Sequence, residues 1–343
     1  MTVSDVDQQA LVSAVMDDIV GLMKSRAISL AAQLRLADLV KDGPKSITEL
    51  AQATGTNKIA LYHLLYALVQ CGYFEEVRPE VFAQSARSHL LRTDLPRSLY
   101  DFVMIHGDVW QWHPWENAIQ ALKTGKPVFN EMFGKDLWRY FQEDNPAAGQ
   151  RFNRAMSALS KQIDQAIVHG YDFSAAGTIV DVAGGQGGLL TTILQAYPTT
   201  RGILFDQPSV IETVRQHHLT ESFQDRLGLV SGNIFEAVPA GADTYQLKQI
   251  MQDWENDECI QILSNCRKAM KPGGRVLVME EIITPGQKAP AIGALIDLQL
   301  LLVMKGRHRS PAEHSQLFEA AGLRLVRVYP TQSSYTVLEA TAL

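Results

Sequence analysis

Two short stretches carry residue types that could do chemistry. The first, "QIMQDWENDECIQIL" at 249–263, reads as the end of a buried strand passing into a helix, with Gln252-Asp253-Trp254 at the lip. In an open α/β sheet, ligands lie at the carboxyl ends of strands. A neutral amide there has no lone pair basic enough to take a proton at neutral pH; it can hydrogen-bond and orient. The second, "VDVAGGQGGLLTTIL" at 180–194, is a strand ending at Asp181, then a Gly-rich turn, then a helix opening near Gly188. Glycines in such a turn let backbone amides approach a ligand and tolerate positive φ. Gly184-Gly185-Gln186-Gly187 does not fit G-x-G-x-x-G cleanly and comes mid-chain, unlike the usual dinucleotide fingerprint. The following strand ends in Asp206, placed to accept hydrogen bonds from ribose hydroxyls, an arrangement that NAD would also satisfy.

The elements that must position these residues follow from the apolar pattern. From 176 onward, "TIVDVA" 178–183, "GILFD" 202–206, "LGLVS" 227–231, "YQLKQI" 245–250 and "GRVLVMEE" 274–281 read as strands with helical text between. Five such units predict a parallel sheet with helices on both faces, a Rossmann-like α/β fold. "LRLVRVYP" 323–330 and "SYTVLEAT" 334–341 are too close for a crossover, so the last strand is expected to be antiparallel. Upstream, residues 11–42 show apolar helical spacing with little polar face, as expected of helices that also bury against a partner chain. Thr48 is expected to cap a helix over 49–54 that Gly55 stops, and Asn57 to cap a second that ends at Gly72. Tyr73–Glu76 and Val81–Ala83 then read as a two-stranded ribbon, completing a winged-helix module. Residues 101–165 are helical and rich in aromatic residues, a suitable lining for a flat substrate. The expected division is a winged-helix domain over 1–100 and a catalytic domain over 101–343.

Composition narrows the function classes. The 343-residue chain carries a formal net charge of −6, with a pI near 5.9, which argues against a nucleic-acid footprint. The second winged-module helix offers only Lys58 and His63 among apolar residues, so it reads as a packing or dimerisation element; a DNA-binding regulator is the alternative class. The N-terminal start is acidic and no apolar stretch is long enough to span a bilayer, so neither secretion nor a membrane is expected. Cys71, Cys259 and Cys266 lack metal-ligand spacing and read as reduced thiols of a cytoplasmic protein with no metal.

From residue 107 onward the chain resembles the S-adenosylmethionine-dependent small-molecule O-methyltransferases of the plant caffeic-acid and bacterial hydroxyneurosporene type. The resemblance runs through "DVAGGQGG", "LFDQPSVI", "GNIFEAVP", "LKQIMQDW", "CRKAMKPGGRVLVMEE" and "DLQLLLVMKGRHRSPAEHSQLFEAAG", with "GDVWQWHPWENAIQALKTGKPVF" and "FNRAMS" upstream. The N-terminal module fits the family's dimerisation domain, which implies a homodimer. The resemblance implies S-adenosyl-L-methionine as cofactor, leaving as S-adenosyl-L-homocysteine. Asp181 and Gly184 then belong to the turn at its methionine end, Asp206 to its ribose, and Asn233, Ile234 and Lys248 to its adenine. Phe152, Met156 and Met304, with Trp110, would line the substrate pocket.

The resemblance also sharpens the question at residue 252. The family usually has histidine there, acting as general base on the substrate hydroxyl. A phenol with a pKa of about 10 is a poor nucleophile at neutral pH, and an imidazole near ~6.5 contributes about 10²–10⁴-fold by taking its proton. Gln252 cannot. Of the two acidic residues that flank the family's histidine, Glu280 matches the first, and His308 stands where the second, a glutamate, is usual. With Asp253 these form the expected catalytic set. Either the base has moved to His308, or the reaction no longer needs one. The readings left open are a hydroxyl that is already acidic, a nitrogen, carbon or carboxylate acceptor, and a chemistry other than methyl transfer (pericyclic, decarboxylase or hydroxylase-like).

Overall fold

The structure is a computed structural model that describes residues 5–96, 98–218, 220–223, 225–286 and 291–343. The chain forms two compact units, Met1–His113 with Ala147–Ala158, and Pro114–Pro146 with Leu159–Leu343. Part of helix Pro146–Gly170, Ala147–Ala158, groups with the first unit.

In the first unit, helices Asp5–Ile19 and Gly21–Gln33 precede helix Ile47–Thr54. The cap of that helix is Ser46, not Thr48. Ser46 has extended backbone, its hydroxyl accepts the Glu49 N–H at 3.3 Å, and the Glu49 carboxylate accepts the Ser46 N–H at 2.8 Å. This reciprocal pair satisfies two otherwise orphaned donors, which Thr48, already inside the first turn, cannot do. Gly55, at φ 65°, ends the helix, and Asn57 caps helix Lys58–Gln70 by accepting from Ile59 and Ala60 N–H. The ribbon has three strands, β1 (Lys45–Ser46), β3 (Val81–Gln84) and β2 (Phe74–Arg78) in that order. β1 has two residues, too short for periodicity to reveal. Leu61, Leu65 and Leu68 face inward with Leu36, Ile47, Leu50, Phe74 and Phe82. Each such burial contributes about 1.5–3 kcal/mol. By contrast, Leu11, Val12, Val15, Met16 and Ile19 remain more than half exposed on one helix.

The second unit is built on seven strands: β4 (Thr178–Val182), β5 (Arg201–Asp206), β6 (Leu227–Ser231), β7 (Thr244–Lys248), β8 (Arg275–Glu281), β9 (Leu323–Pro330) and β10 (Tyr335–Ala342). Their order is β6-β5-β4-β7-β8-β10-β9. β4 to β8 run parallel, and β10 lies antiparallel between β8 and β9. Alternate residues feed two cores. Val180, Val182, Tyr245, Leu247, Val276 and Val278 pack on one face with Ile262 and Phe318; Ile179, Leu204, Leu277 and Met279 pack on the other with Ile167, Leu190 and Ile193. The chain leaves β4 toward β5 and β6, then returns to the other side of β4 as β7. This reversal opens a crevice at the carboxyl ends of β4 and β7, where ligands bind in such sheets. Among the described residues, no helix is long and apolar enough to cross a membrane.

Candidate active site

Both strands at the crevice end in a strained residue. Ala183, just after β4, has φ 54°, and Gln249, just after β7, has φ 59°. Left-handed backbone at a non-glycine residue costs energy and clusters at functional sites. After Ala183 the glycine turn lies directly on a buried carboxylate: a Cβ on Gly184 would come 2.5 Å from Asp181 Cγ. Gly185 and Gly187 take φ of 58° and 78°, and helix Gly188–Ala196 follows. Asp206 braces the turn. One of its oxygens accepts the Gly185 N–H at 2.8 Å and the other the Gln207 N–H at 2.7 Å. Each carboxylate oxygen keeps a second lone pair for a ligand hydroxyl. Close-approach glycines and a braced acid fit a nucleoside cofactor.

Burial pushes the Asp181 pKa up to about 7, with the neighbouring Gln246 amide and then the Lys248 ammonium pulling the other way. Burial also raises Asp206, against the two backbone N–H groups that stabilise its charge. Lys248 is engaged by a pair of residues that sequence reasoning missed. Its ammonium donates to Ser160 and Asp164, one turn apart on helix Pro146–Gly170. The other Asp164 oxygen lies 3.0 Å from where a Cβ of Gly188 would stand, so the ion pair sits against the start of the helix that follows the glycine turn. Asn233 is exposed; its side chain accepts the Phe235 N–H at 3.0 Å and donates to Glu236 at 3.1 Å. Ile234 is half-buried against the core, and its carbonyl accepts from Asn265 at 2.8 Å.

The lip after β7 is held from three sides. Its short turn, Met251–Asp253, carries Gln252, which is 7% exposed. The Gln252 N–H donates to Glu280 Oε1 at 2.9 Å, and Glu280 Oε2 meets His314 Nε2 at 3.2 Å. Both oxygens of Glu280, which is fully buried at the tip of β8, therefore point to partners other than the Gln252 side chain. From a second side, the buried Arg309 guanidinium donates to the Met251 and Trp254 carbonyls at 2.6 and 2.7 Å, and to Asn256 Oδ1. Gly306 closes the third: a Cβ there would come 1.9 Å from the Gln252 carbonyl oxygen. The turn is thus fixed in place, while the Gln252 side-chain oxygen is buried with no hydrogen-bond partner among the described residues. Burial pushes Asp253 well above the usual carboxylate range, and nearby Glu280 adds to the shift.

His308 is buried at 4% exposure and is not a surface-loop residue. Its N–H donates to Asp297 Oδ1 at 2.6 Å, and its ring Nδ1 lies 4.0 Å from the same oxygen. Asp297 also went unread in the sequence, although it is the one ionisable side chain in the apolar helix Ala291–Val303. Met304 is half-buried just beyond that helix. In the first unit, Trp110 is buried edge-on to Phe152, with ring centroids 6.2 Å apart, and Met156 is half-buried one turn further along the Phe152 helix.

Comparison with known proteins gives this geometry its context. Residues 112–324 match the O-methyltransferase domain family, and residues 16–94 match the O-methyltransferase dimerisation domain. A phenazine O-methyltransferase of Lysobacter antibioticus is 36% identical over 330 residues, covering 96% of each chain. The solved structure of a mitomycin 7-O-methyltransferase superposes with a TM-score of 0.92 at 34% identity, covering 99% of this chain and 100% of that one. An O-methyltransferase from neocarzinostatin biosynthesis, solved with S-adenosylmethionine and 2-hydroxy-5-methyl naphthoic acid, gives 0.82 at 30% identity, covering 93% and 96%. With one family domain matched over residues 112–324 and its dimerisation domain over 16–94, and a relative 36% identical across 96% of each chain, the protein belongs to the S-adenosylmethionine-dependent O-methyltransferase family that carries an N-terminal dimerisation domain.

Proposed function

We propose that the protein methylates a hydroxyl oxygen of a small aromatic or polyketide-like metabolite, as a homodimer, with Gln252 seating that hydroxyl and His308 taking its proton. The observation that carries this reading is the buried, unpartnered side-chain oxygen of Gln252. A buried acceptor left unsatisfied costs about 1–3 kcal/mol, which a substrate O–H relieves on binding. Gln252 then holds the hydroxyl until its single proton turns from the amide oxygen to His308, whose ring Nδ1 lies 4.0 Å from Asp297 Oδ1. Asp206 holds the ribose, the Gly184 turn the methionine end, and Asn233 with Ile234 the adenine, while Lys248 supports the turn through Asp164. When bound, the cofactor supplies an electrophilic sulfonium methyl group. Holding the substrate oxygen in line at about 3 Å from that carbon is worth up to ~7–11 kcal/mol. The open apolar face of helix Asp5–Ile19 supports pairing with a second copy.

The test is mass spectrometry of products formed from methyl-labelled cofactor with a panel of catechols, naphthols, aminophenols, anilines and aromatic acids. Labelled ethers are expected. Labelled amines or esters alone would move the reaction to another atom, since the Gln252 oxygen also accepts an N–H. Product without label would mean that the site has changed reaction class.

Asp181 makes cofactor binding depend on pH. Its folded pKa, about 7, lies far above the ordinary carboxylate value, so the free protein holds a proton there that the unfolded chain has already lost. This group therefore favours the folded state most at acid pH, and the advantage fades as pH rises to 7. A bound cation favours the ionised form. S-adenosylmethionine affinity is expected to rise between pH 6 and about 8, with net proton release seen by calorimetry in buffers of different ionisation enthalpy. Asp181→Asn should abolish that release; a pH-independent affinity in the wild type would contradict the assignment.

A further inference from the structure

We infer that His314 is a positioning residue for the reaction: paired with Glu280 beneath the sheet tip, it keeps that carboxyl group aimed at the backbone of residue 252 and so sets where the Gln252 amide stands. The inference rests on the proposed role of Gln252 only for its consequence in catalysis.

Proton bookkeeping supports it. His314 Nδ1 lies 3.1 Å from the Ser310 carbonyl oxygen, which can only accept, so Nδ1 carries a hydrogen. His314 Nε2 faces Glu280 Oε2 at 3.2 Å with both side chains out of solvent, at 1% and 0% side-chain exposure. One proton belongs between them. If it sits on nitrogen, the pair is an imidazolium and a carboxylate; if on oxygen, a neutral imidazole and a carboxylic acid. Either way the pair is neutral overall, and Glu280 Oε1 remains free to accept the Gln252 N–H. Without His314, Glu280 would be a lone buried acid, and burial of an unpaired charge forces either protonation or movement.

Among the described residues, the surroundings offer no substitute. The other ionisable groups electrostatically close to this carboxyl are Asp253, Cys259, Tyr335 and, through the lip it clamps, Arg309. Burial pushes Asp253, Cys259 and Tyr335 toward their neutral forms. Arg309 spends its donors on Met251, Trp254, Asn256 and Arg307. His314 sits on helix Pro311–Ala320, fixed by the Ser310–Glu313 reciprocal cap, so the turn at 252 is held by an element distant in sequence.

The test compares wild type, His314→Phe and His314→Gln by hydrogen exchange at the Gln252 amide, read by fragment mass spectrometry between pH 6 and about 9 and corrected for intrinsic rates. Wild-type protection is expected to be constant over this range. In His314→Phe, protection should fall about tenfold or more and become pH-dependent, because a carboxyl group buried without its partner must take up a proton or move. His314→Gln, which keeps an N–H donor toward Glu280, should restore a flat profile. With any phenol that is methylated, kcat should fall in His314→Phe, with KM for the cofactor changed less than about twofold because the cradle lies on other strands. Unaltered protection and profile in His314→Phe would overturn the inference. Should that variant fail to fold, ¹⁵N spectra of histidine-labelled wild type decide: a His314 Nδ1 without a proton refutes it. Absence of methyl transfer on every phenol, with the exchange result as expected, would count against the proposed function and leave the positioning role standing.

Discussion

Replacing Asp206 by alanine is expected to weaken S-adenosylmethionine binding about 100-fold or more. Two losses add. In the proposed role the ribose loses a charged acceptor, and hydrogen bonds to charged groups are worth about 1.5–3 kcal/mol each. The turn also loses its brace, because Asp206 holds the N–H groups of Gly185 and Gln207 at 2.8 and 2.7 Å. Two such bonds amount to about 3 kcal/mol, or roughly a hundredfold in Kd. Asp206→Asn separates the two effects. Its amide oxygen can still hold one backbone N–H, so the turn should persist in hydrogen exchange while affinity falls by a smaller factor. Calorimetry decides: Asp206→Ala with near-wild-type affinity would remove Asp206 from the cofactor site.

The second large effect concerns the proton. His308→Ala should reduce kcat on simple phenols about 10²-fold or more, the usual worth of general-base help. The geometry that supports this is the buried ring, with its Nδ1 4.0 Å from Asp297 Oδ1. Gln252→His puts a base back at the usual family position, yet with His308 as the proposed base the gain should stay below about tenfold. If His308→Ala changes little and rates instead track the substrate's own pKa across a phenol series, the substrate arrives ionised and His308 is not the base. A rise of about 100-fold in Gln252→His would mean that the wild-type site lacks effective base catalysis.

Much of the fold was legible because its signals are local. Each parallel strand of the second unit is a short apolar run between helices, and β9 and β10 declared their antiparallel pairing by the short turn between them. The glycine turn and the acid that braces it were legible for the same reason, since Gly184, Gly185 and Asp206 lie in short strand-and-turn stretches that spell them out. The hidden features depend on partners far apart in the chain. Glu280 could be aligned with a catalytic acid, but only the fold shows its two oxygens committed to the Gln252 backbone and to His314. Asp164, Ser160 and Arg309 read as ordinary helix or loop residues until Lys248 and the Met251 carbonyl are placed beside them. Ser46 was missed for a smaller reason: a two-residue strand ahead of the helix shifts its start upstream of Thr48.

The place of β10 has a consequence for how the protein matures. β8, whose tip carries Glu280, is flanked on one side by β7 and on the other by β10, with Thr336 opposite Glu280 and Tyr335 opposite Glu281. A ribosome delivers β8 well before β10, so the nascent sheet carries an open apolar edge beside its most important strand until the final hairpin threads in. Pairing of this range in sequence is slow, and unpaired edges invite misassembly. Nascent chains stalled before residue 335 should therefore depend on chaperones and lack a settled Gln252 lip, whereas the glycine turn, whose bracing lies within β4 and β5, can form earlier.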